Sequence, residues 1–204
     1  MILDDQTIRE YQPKIIDNPG NRQAAIALVV CGHEFGDELL FIQRAKSKND
    51  PWSGQVACPG GGKEDSDGGL IETAVRETFE ETGLELSQEN LIGRLDDQVG
   101  SSRSREMALT ISAFIFRIHE KSVLAPNYEV AEAFWSKTSH LTDPDRQVLY
   151  QTPFGEQPRQ AIYLGDQLTA RETLIEYSVQ EKILWGLTHR FVNQLLAIHG
   201  VAGH

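Results

Sequence analysis

Three glutamates carry the clearest chemical signal in this 204-residue chain: Glu77, Glu80 and Glu81, spaced i, i+3 and i+4. Residues at these spacings share one side of an α-helix, so the spacing gathers three carboxylates. Clustered carboxylate oxygens are what hard divalent cations take as ligands. The alternative is a solvated acidic helix face, the usual meaning of such a run. Two features weigh toward a site. Glu77 and Glu81 have no Lys partner at i,i+4 spacing, and Arg76 is the only nearby cation in the helix. Glu80 and Glu81 also fall in the last turn, where the helix dipole disfavours negative charge. Just upstream, Gly60-Gly61-Gly62 lets backbone approach a ligand without intervening side chains. This run is no phosphate-binding P-loop, because position 57 is Ala57 and the residue after Lys63 is Glu64.

The elements that must position these groups follow from hydrophobic patterning. Residues 70–82 read as a helix closed by Gly83. On a helical wheel, Ile71, Val75, Phe79 and Thr82 form the predicted buried stripe, with the glutamates opposite. Residues 24–31 are nearly all apolar and suit a strand buried on both faces; residues 38–44 return as its hairpin partner. Short strands are predicted over 54–58, 91–99, 108–118, 132–136 and 159–164. Residues 4–12 suit a short helix, Thr142 or Asp143 caps another at Pro144, and 178–198 read as one long amphipathic helix. Strands and helices mix without strict βαβ alternation. The expected fold is therefore α/β, a mixed sheet flanked by helices, in a single domain with its core over about 22–198 and a short extension over 1–21.

Composition bounds the function. There are 19 Lys+Arg against 30 Asp+Glu, a net charge of −11, which argues against nonspecific binding to nucleic acid. The longest apolar run, 24–31, is far too short to span a membrane, and the acidic start Met-Ile-Leu-Asp-Asp lacks the pattern of a signal peptide. Cys31 and Cys58 are the only cysteines, so no disulfide framework is expected and a cytoplasmic setting is the default. The six histidines show no zinc-binding spacing. Nothing in the pattern excludes a homodimer.

Residues 62–84 closely resemble the signature of the Nudix hydrolase superfamily, Gly-x5-Glu-x7-Arg-Glu-U-x-Glu-Glu-x-Gly-U, where U is bulky and apolar. Arg76-Glu77-Thr78-Phe79-Glu80-Glu81-Thr82-Gly83-Leu84 matches every charged and glycine position of the second half, and Gly62 matches the opening glycine. Gly68 stands where the signature has its first Glu, and Thr78 stands at a U position; nearby Glu64, Asp65 or Asp67 could take over the missing Glu, an accessory that often pairs with the arginine. Arg44 and the stretch Gly54-Gln55-Val56-Ala57-Cys58-Pro59-Gly60-Gly61 are similar to an extra motif of the coenzyme A diphosphatases. That motif's second arginine is missing near Asn49, its arginine-to-glycine spacing is one residue longer here, and its phenylalanine is Cys58.

The resemblance implies a Nudix-type α/β/α sandwich and hydrolysis of a diphosphate in a small nucleoside diphosphate derivative by water. Coenzyme A or acyl-coenzyme A is the first substrate expected. ADP-ribose, another nucleoside diphosphate sugar or a dinucleotide is the alternative, and a non-catalytic Nudix-like binding module is the alternative of another class. By the family pattern, Glu77, Glu80 and Glu81, with the Gly61 backbone, hold Mg²⁺ or Mn²⁺. Glu77 and Glu80 take part in catalysis, and Arg76 orients a helix carboxylate. Arg44, Lys63, Trp52 and Glu129 are candidates for substrate contact. Glu129 or Glu132 is a candidate outer carboxylate, and the loop 101–105 could touch a phosphate. Each of these outer residues also reads as plain surface.

Overall fold

A computed structural model describes residues 1–17, 22–47, 52–100, 109–152, 155, 157–165, 174–176 and 181–200. The strand predicted first is its axis. β1 (Arg22–Cys31) runs parallel to β7 (Leu109–Ile118) through ten paired positions, from Arg22↔Leu109 to Cys31↔Ile118. On its other side β1 pairs antiparallel with β2 (Glu38–Arg44) at one end and with β4 (Gly60–Gly62) at the other. β3 (Val56–Ala57) and β8 (Val130–Lys137) join β2, while β5 (Leu91–Arg94) and β6 (Gln98–Gly100) join β7, completing an eight-stranded mixed sheet.

Both sheet faces are covered, which is why the central strands are continuously apolar. Ala25, Ala27, Val29, Phe114 and Phe116 form one core with Ala74 of α2 (Leu70–Thr82). Ala24, Leu28, Val30, Ile111 and Ile115 form the other with Leu3, with Ile8 of α1 (Asp5–Glu10), and with Phe191, Val192 and Leu195 of α4 (Gly186–Ala197). The expected α/β/α layering of a mixed sheet is thus observed. Beyond the main sheet, α3 (Thr138–Leu141) precedes a second sheet of order β11-β9-β10-β12, built from β9 (Gln147–Gln151), β10 (Arg159–Tyr163), β11 (Leu174–Glu176) and β12 (Ile183–Leu184). Ile162, Leu164 and Leu184 from this part enter the same core as α4.

Several boundaries differ from the sequence reading. The predicted strand 91–99 is two strands, β5 and β6, separated at residues 95–97, and the strand expected over 54–58 is ordered only as Val56–Ala57. The long C-terminal helix begins only at Gly186: Trp185 is extended and Gly186 has φ 66°, a left-handed backbone that a regular helix cannot run through. Ile183 and Leu184 are therefore strand residues, and 178–180 lie outside the described residues, as do Asn49 and the loop 101–105. At Pro144 the helix is one 3-10 turn, Pro144–Arg146, capped by Asp143, whose carboxylate accepts from the Asp145 N–H at 2.9 Å.

The N-terminal segment is bound into the domain by a buried ion cluster. Arg117 donates to Asp37 Oδ2 (2.8 Å), to the Leu3 carbonyl (2.7 Å) and to Asp5 Oδ1 (2.8 Å), while Leu3 N–H also donates to Asp37 (2.8 Å). Asp37 is 1% exposed and Arg117 8%. Removing one partner of such a pair strands a buried charge. Arg117→Met is expected to cost about 3–5 kcal/mol in urea unfolding, and the double variant Asp37→Asn/Arg117→Met is expected to cost less than Arg117→Met alone.

Candidate functional site

The glutamates sit on α2, whose 13 residues end at Gly83 with φ 70°, the left-handed cap that the sequence indicates. Which way the helix faces is a different matter. The residues buried on it are Thr73, Ala74, Thr78, Glu81 and Thr82, whereas Phe79 is 51% exposed. Of the predicted stripe, Thr82 is fully buried and Ile71 and Val75 are half-buried at the edge of the core, whereas Phe79 faces outward, so the buried face is rotated from the predicted one. Small side chains line it: Ala74 packs with Ala25 and Ala27 of β1, and close approach is possible because none of the three is bulky. The hydroxyls of Thr78 and Thr82 donate back to the carbonyls of Ala74 (2.7 Å) and Thr78 (2.6 Å), so polar atoms on this face are satisfied.

The rotation turns two carboxylates inward. Glu81 is 3% exposed and one of its oxygens accepts from the Gly60 N–H at 2.9 Å. Gly60 and Gly61 belong to β4, which lies antiparallel on β1. A Cβ on Gly61 would overlap the Glu77 carboxylate, so only glycine admits Glu77 at this place. Burial pushes the Glu81 carboxyl up to about 7; the Gly60 N–H and Arg44 pull against this, and Glu77 and Glu129 add to it. Glu77 is raised too, by burial first, with Glu80 and Glu129 adding repulsion against the pull of Arg76. Glu77, Glu81, Glu129 and Arg44 thus share one electrostatic neighbourhood.

Arg76 is fully engaged. Nε donates to Asp67 Oδ1 (2.9 Å), Nη1 to Glu77 (3.0 Å) and Glu80 (3.3 Å), and Nη2 to Asp67 Oδ2 (2.9 Å) and the Gly62 carbonyl (3.1 Å). All five of its N–H donors have acceptors within the protein. Asp67 holds the guanidinium bidentately, and its carboxyl lies well below the usual range, chiefly because of Arg76. Asp67 is itself fixed by the Glu64 N–H and the Thr73 hydroxyl, both at 2.9 Å. Of the three carboxylates that could stand in at Gly68, Asp67 is the one in a bidentate pair; Glu64 is exposed and lies 4.0 Å from the guanidinium.

The other expected residues divide. Glu80 is half exposed and shares Arg76 Nη1 with Glu77. Lys63 is exposed and donates to the Glu64 carbonyl at 3.4 Å. Glu132, the other candidate outer carboxylate, is half exposed and pairs with Lys182 at 2.7 Å. Trp52 is 55% exposed, on the turn that ends at Gln55. Cys58 is buried and its thiol is pushed up to about 12, so it is an inert part of the core. Tyr128, 88% exposed beside Glu129, is a residue that the sequence reading missed; only its position next to that carboxylate could have marked it.

The donors that converge on β4 are carboxylate oxygens beside a glycine backbone, the set that suits a hard cation such as Mg²⁺ or Mn²⁺. Among the described residues no three acidic, histidine or cysteine side chains stand together as a finished cation cage. Glu77 and Glu81 nonetheless fit the cation: they are inward, near-neighbour carboxylates whose mutual repulsion a divalent charge would reverse. No helix among the described residues is long and apolar enough to cross a membrane.

Comparison with known proteins agrees with this geometry. The NUDIX domain profile matches residues 21–154. The mouse mitochondrial coenzyme A diphosphatase NUDT8 is 31% identical over 147 residues, 71% of this chain and 69% of that protein. Protein C14C4.10c of Schizosaccharomyces pombe is 31% identical over 72% of this chain, and the match spans half of that protein's length. In structure, a MutT/nudix family protein from Enterococcus faecalis superposes with a TM-score of 0.52 at 17% identity, covering 94% of this chain and 69% of that one. The matched residues contain α2, the glycine strand and every strand of the eight-stranded sheet, and the chain belongs to the Nudix hydrolase family.

Proposed function

We propose that the protein hydrolyses the diphosphate linkage of a nucleoside diphosphate derivative with the help of Mg²⁺ or Mn²⁺, with coenzyme A or acyl-coenzyme A as the leading substrate. One observation carries this reading: Glu77 and Glu81 are turned inward against a glycine strand, Glu81 held by the Gly60 N–H and Glu77 in the space that a side chain at Gly61 would take. Such an arrangement destabilises the free protein and suits a bound cation. The likeness to NUDT8, named as a coenzyme A diphosphatase, supports the choice of substrate.

In this reading Glu77 and Glu81, with Glu80 and the Gly61 backbone as further donors, hold the cation. When bound, it polarises phosphoryl oxygens and makes water a better nucleophile. Asp67 fixes Arg76, and Arg76 fixes Glu77. Arg76 has no donor left for substrate, so it positions a ligand rather than binding phosphate itself. Arg44, on the side of Glu81, and Lys63 supply positive charge toward the diphosphate. Glu129, which acts on both Glu77 and Glu81, takes the proton from the attacking water. Water adds at phosphorus, the bridging P–O bond breaks, and two phosphomonoesters leave. Asp67, holding Arg76 bidentately, supports a catalytic site despite Gly68 at the first Glu position of the signature.

Product analysis by liquid chromatography and mass spectrometry tests the reading. With Mg²⁺, coenzyme A is expected to yield adenosine 3′,5′-bisphosphate and 4′-phosphopantetheine, and excess chelator to abolish this. Cleavage only of ADP-ribose or a nucleoside diphosphate sugar would move the substrate, and no metal-dependent product from any of them would overturn the enzyme. Glu81→Gln is expected to fold normally, because an amide oxygen still accepts from Gly60, and to lower turnover by about a hundredfold or more. Asp67→Asn is expected to lower kcat/KM by about 10–100-fold, and Gly68→Glu in that background to restore part of the loss.

A further inference from the structure

Two exposed aromatic residues stand at the rim of this site on loops that are tied to one another. Tyr128 is 88% exposed and Trp52 55%. The tie is Ala45: its N–H donates to the Glu129 carbonyl at 2.7 Å, and its carbonyl accepts from the Ser53 hydroxyl at 3.4 Å. Each aromatic is therefore one residue away from a group bonded to Ala45. Ser47 N–H donates to the same Ser53 hydroxyl at 2.8 Å, Arg44 N–H to the Gln55 carbonyl at 3.0 Å, and Gln55 N–H to the Trp52 carbonyl at 3.1 Å, so the Trp52 turn is braced against the end of β2.

The same place looks onto the carboxylates. Arg44 N–H is bonded to Gln55, and from there the chain runs on through β3 to Gly60, whose N–H holds buried Glu81 at 2.9 Å. The charges of Arg44 and Glu129 reach Glu81, and that of Glu129 reaches Glu77. The Tyr128 hydroxyl lies within reach of the adjacent Glu129 carboxylate. We infer that Tyr128 and Trp52 form an aromatic platform that stacks the purine of the substrate while its diphosphate reaches Glu77 and Glu81. This inference rests on the diphosphatase reading and adds which end of the substrate lies where.

The chemistry favours a flat heterocycle over an alkyl arm. An alkyl or pantetheine chain gains from an enclosing apolar wall, whereas a base needs only a ring face and tolerates open solvent. Lys46, Ser47, Ser53, Asn127 and Glu129 make the neighbourhood of the two rings polar.

Calorimetric titration of the full chain in Mg²⁺ with two non-hydrolysable probes tests this. The probes are α,β-methylene-ADP and methylenediphosphonate, which share the diphosphate and differ in the nucleoside. The purine probe is expected to bind about tenfold or more tighter. Tyr128→Ala and Trp52→Ala should each remove about tenfold of that affinity and leave methylenediphosphonate binding unchanged. Tyr128→Phe keeps the ring and should bind both probes as the parent does. Equal binding of the two probes would overturn the platform, and so would alanine variants that weaken both probes alike or neither. If Trp52→Ala fails to fold, the Tyr128 variants decide alone. Binding of α,β-methylene-ADP without methylenediphosphonate would instead overturn the diphosphate site and leave the platform standing; no binding of either would overturn both.

Discussion

The structure turns on two carboxylates brought out of water beside each other. Glu81 is almost wholly buried and Glu77 lies against Gly61; burial makes both harder to ionise, and Glu77 adds to the effect on Glu81. Like charges in a low-dielectric setting are unfavourable unless donors or cations oppose them. Here the opposing groups are one backbone N–H, one guanidinium and the more distant Arg44. Everything near α2 serves to hold this arrangement: the glycine strand that leaves room for it, the alanines of β1 that let the helix come close, and the threonine hydroxyls that keep its inner face satisfied.

Arg76 and Asp67 show how precision is obtained from a loop. The guanidinium spans from the loop preceding α2 to the helix itself and to β4 through the Gly62 carbonyl. A planar fork with every donor used has one orientation only, so Glu77 inherits that orientation. The loop can carry the anchoring acid at 67 instead of 68 because the pair is set by where a carboxylate ends in space, not by its place in the chain.

Much of this was legible in the residues. The parallel-buried strand, its hairpin partner, the α2 helix and its glycine stop were all readable, because turn chemistry and an unbroken apolar run leave few alternatives. The glutamate spacing and the glycine run pointed to the right segment. The facing of α2 is legible only in part: Thr82 is buried as the wheel has it, but a hydropathy argument seeks bulky residues such as Phe79, whereas the sheet accepts Ala74, Thr78 and Glu81. The start of α4 is hidden for a similar reason: Ile183 and Leu184 continue its apolar pattern but belong to a strand, and only the backbone at Gly186 separates them. Choosing among Glu64, Asp65 and Asp67, or pairing Glu132 with Lys182 fifty positions away, required the path of the loops.

The second sheet and α4 have a bearing on what counts as one unit. The NUDIX domain match ends at residue 154, yet Ile162, Leu164, Leu184, Phe191 and Leu195 share a core with Leu28, Val30 and Ile115 of the main sheet. A chain cut where the resemblance stops would present those strand residues to water, with an aggregation-prone apolar face in place of a packed one. The segment that carries the NUDIX signature is therefore shorter than the packed unit around it, and the later residues are part of the scaffold's obligatory interior.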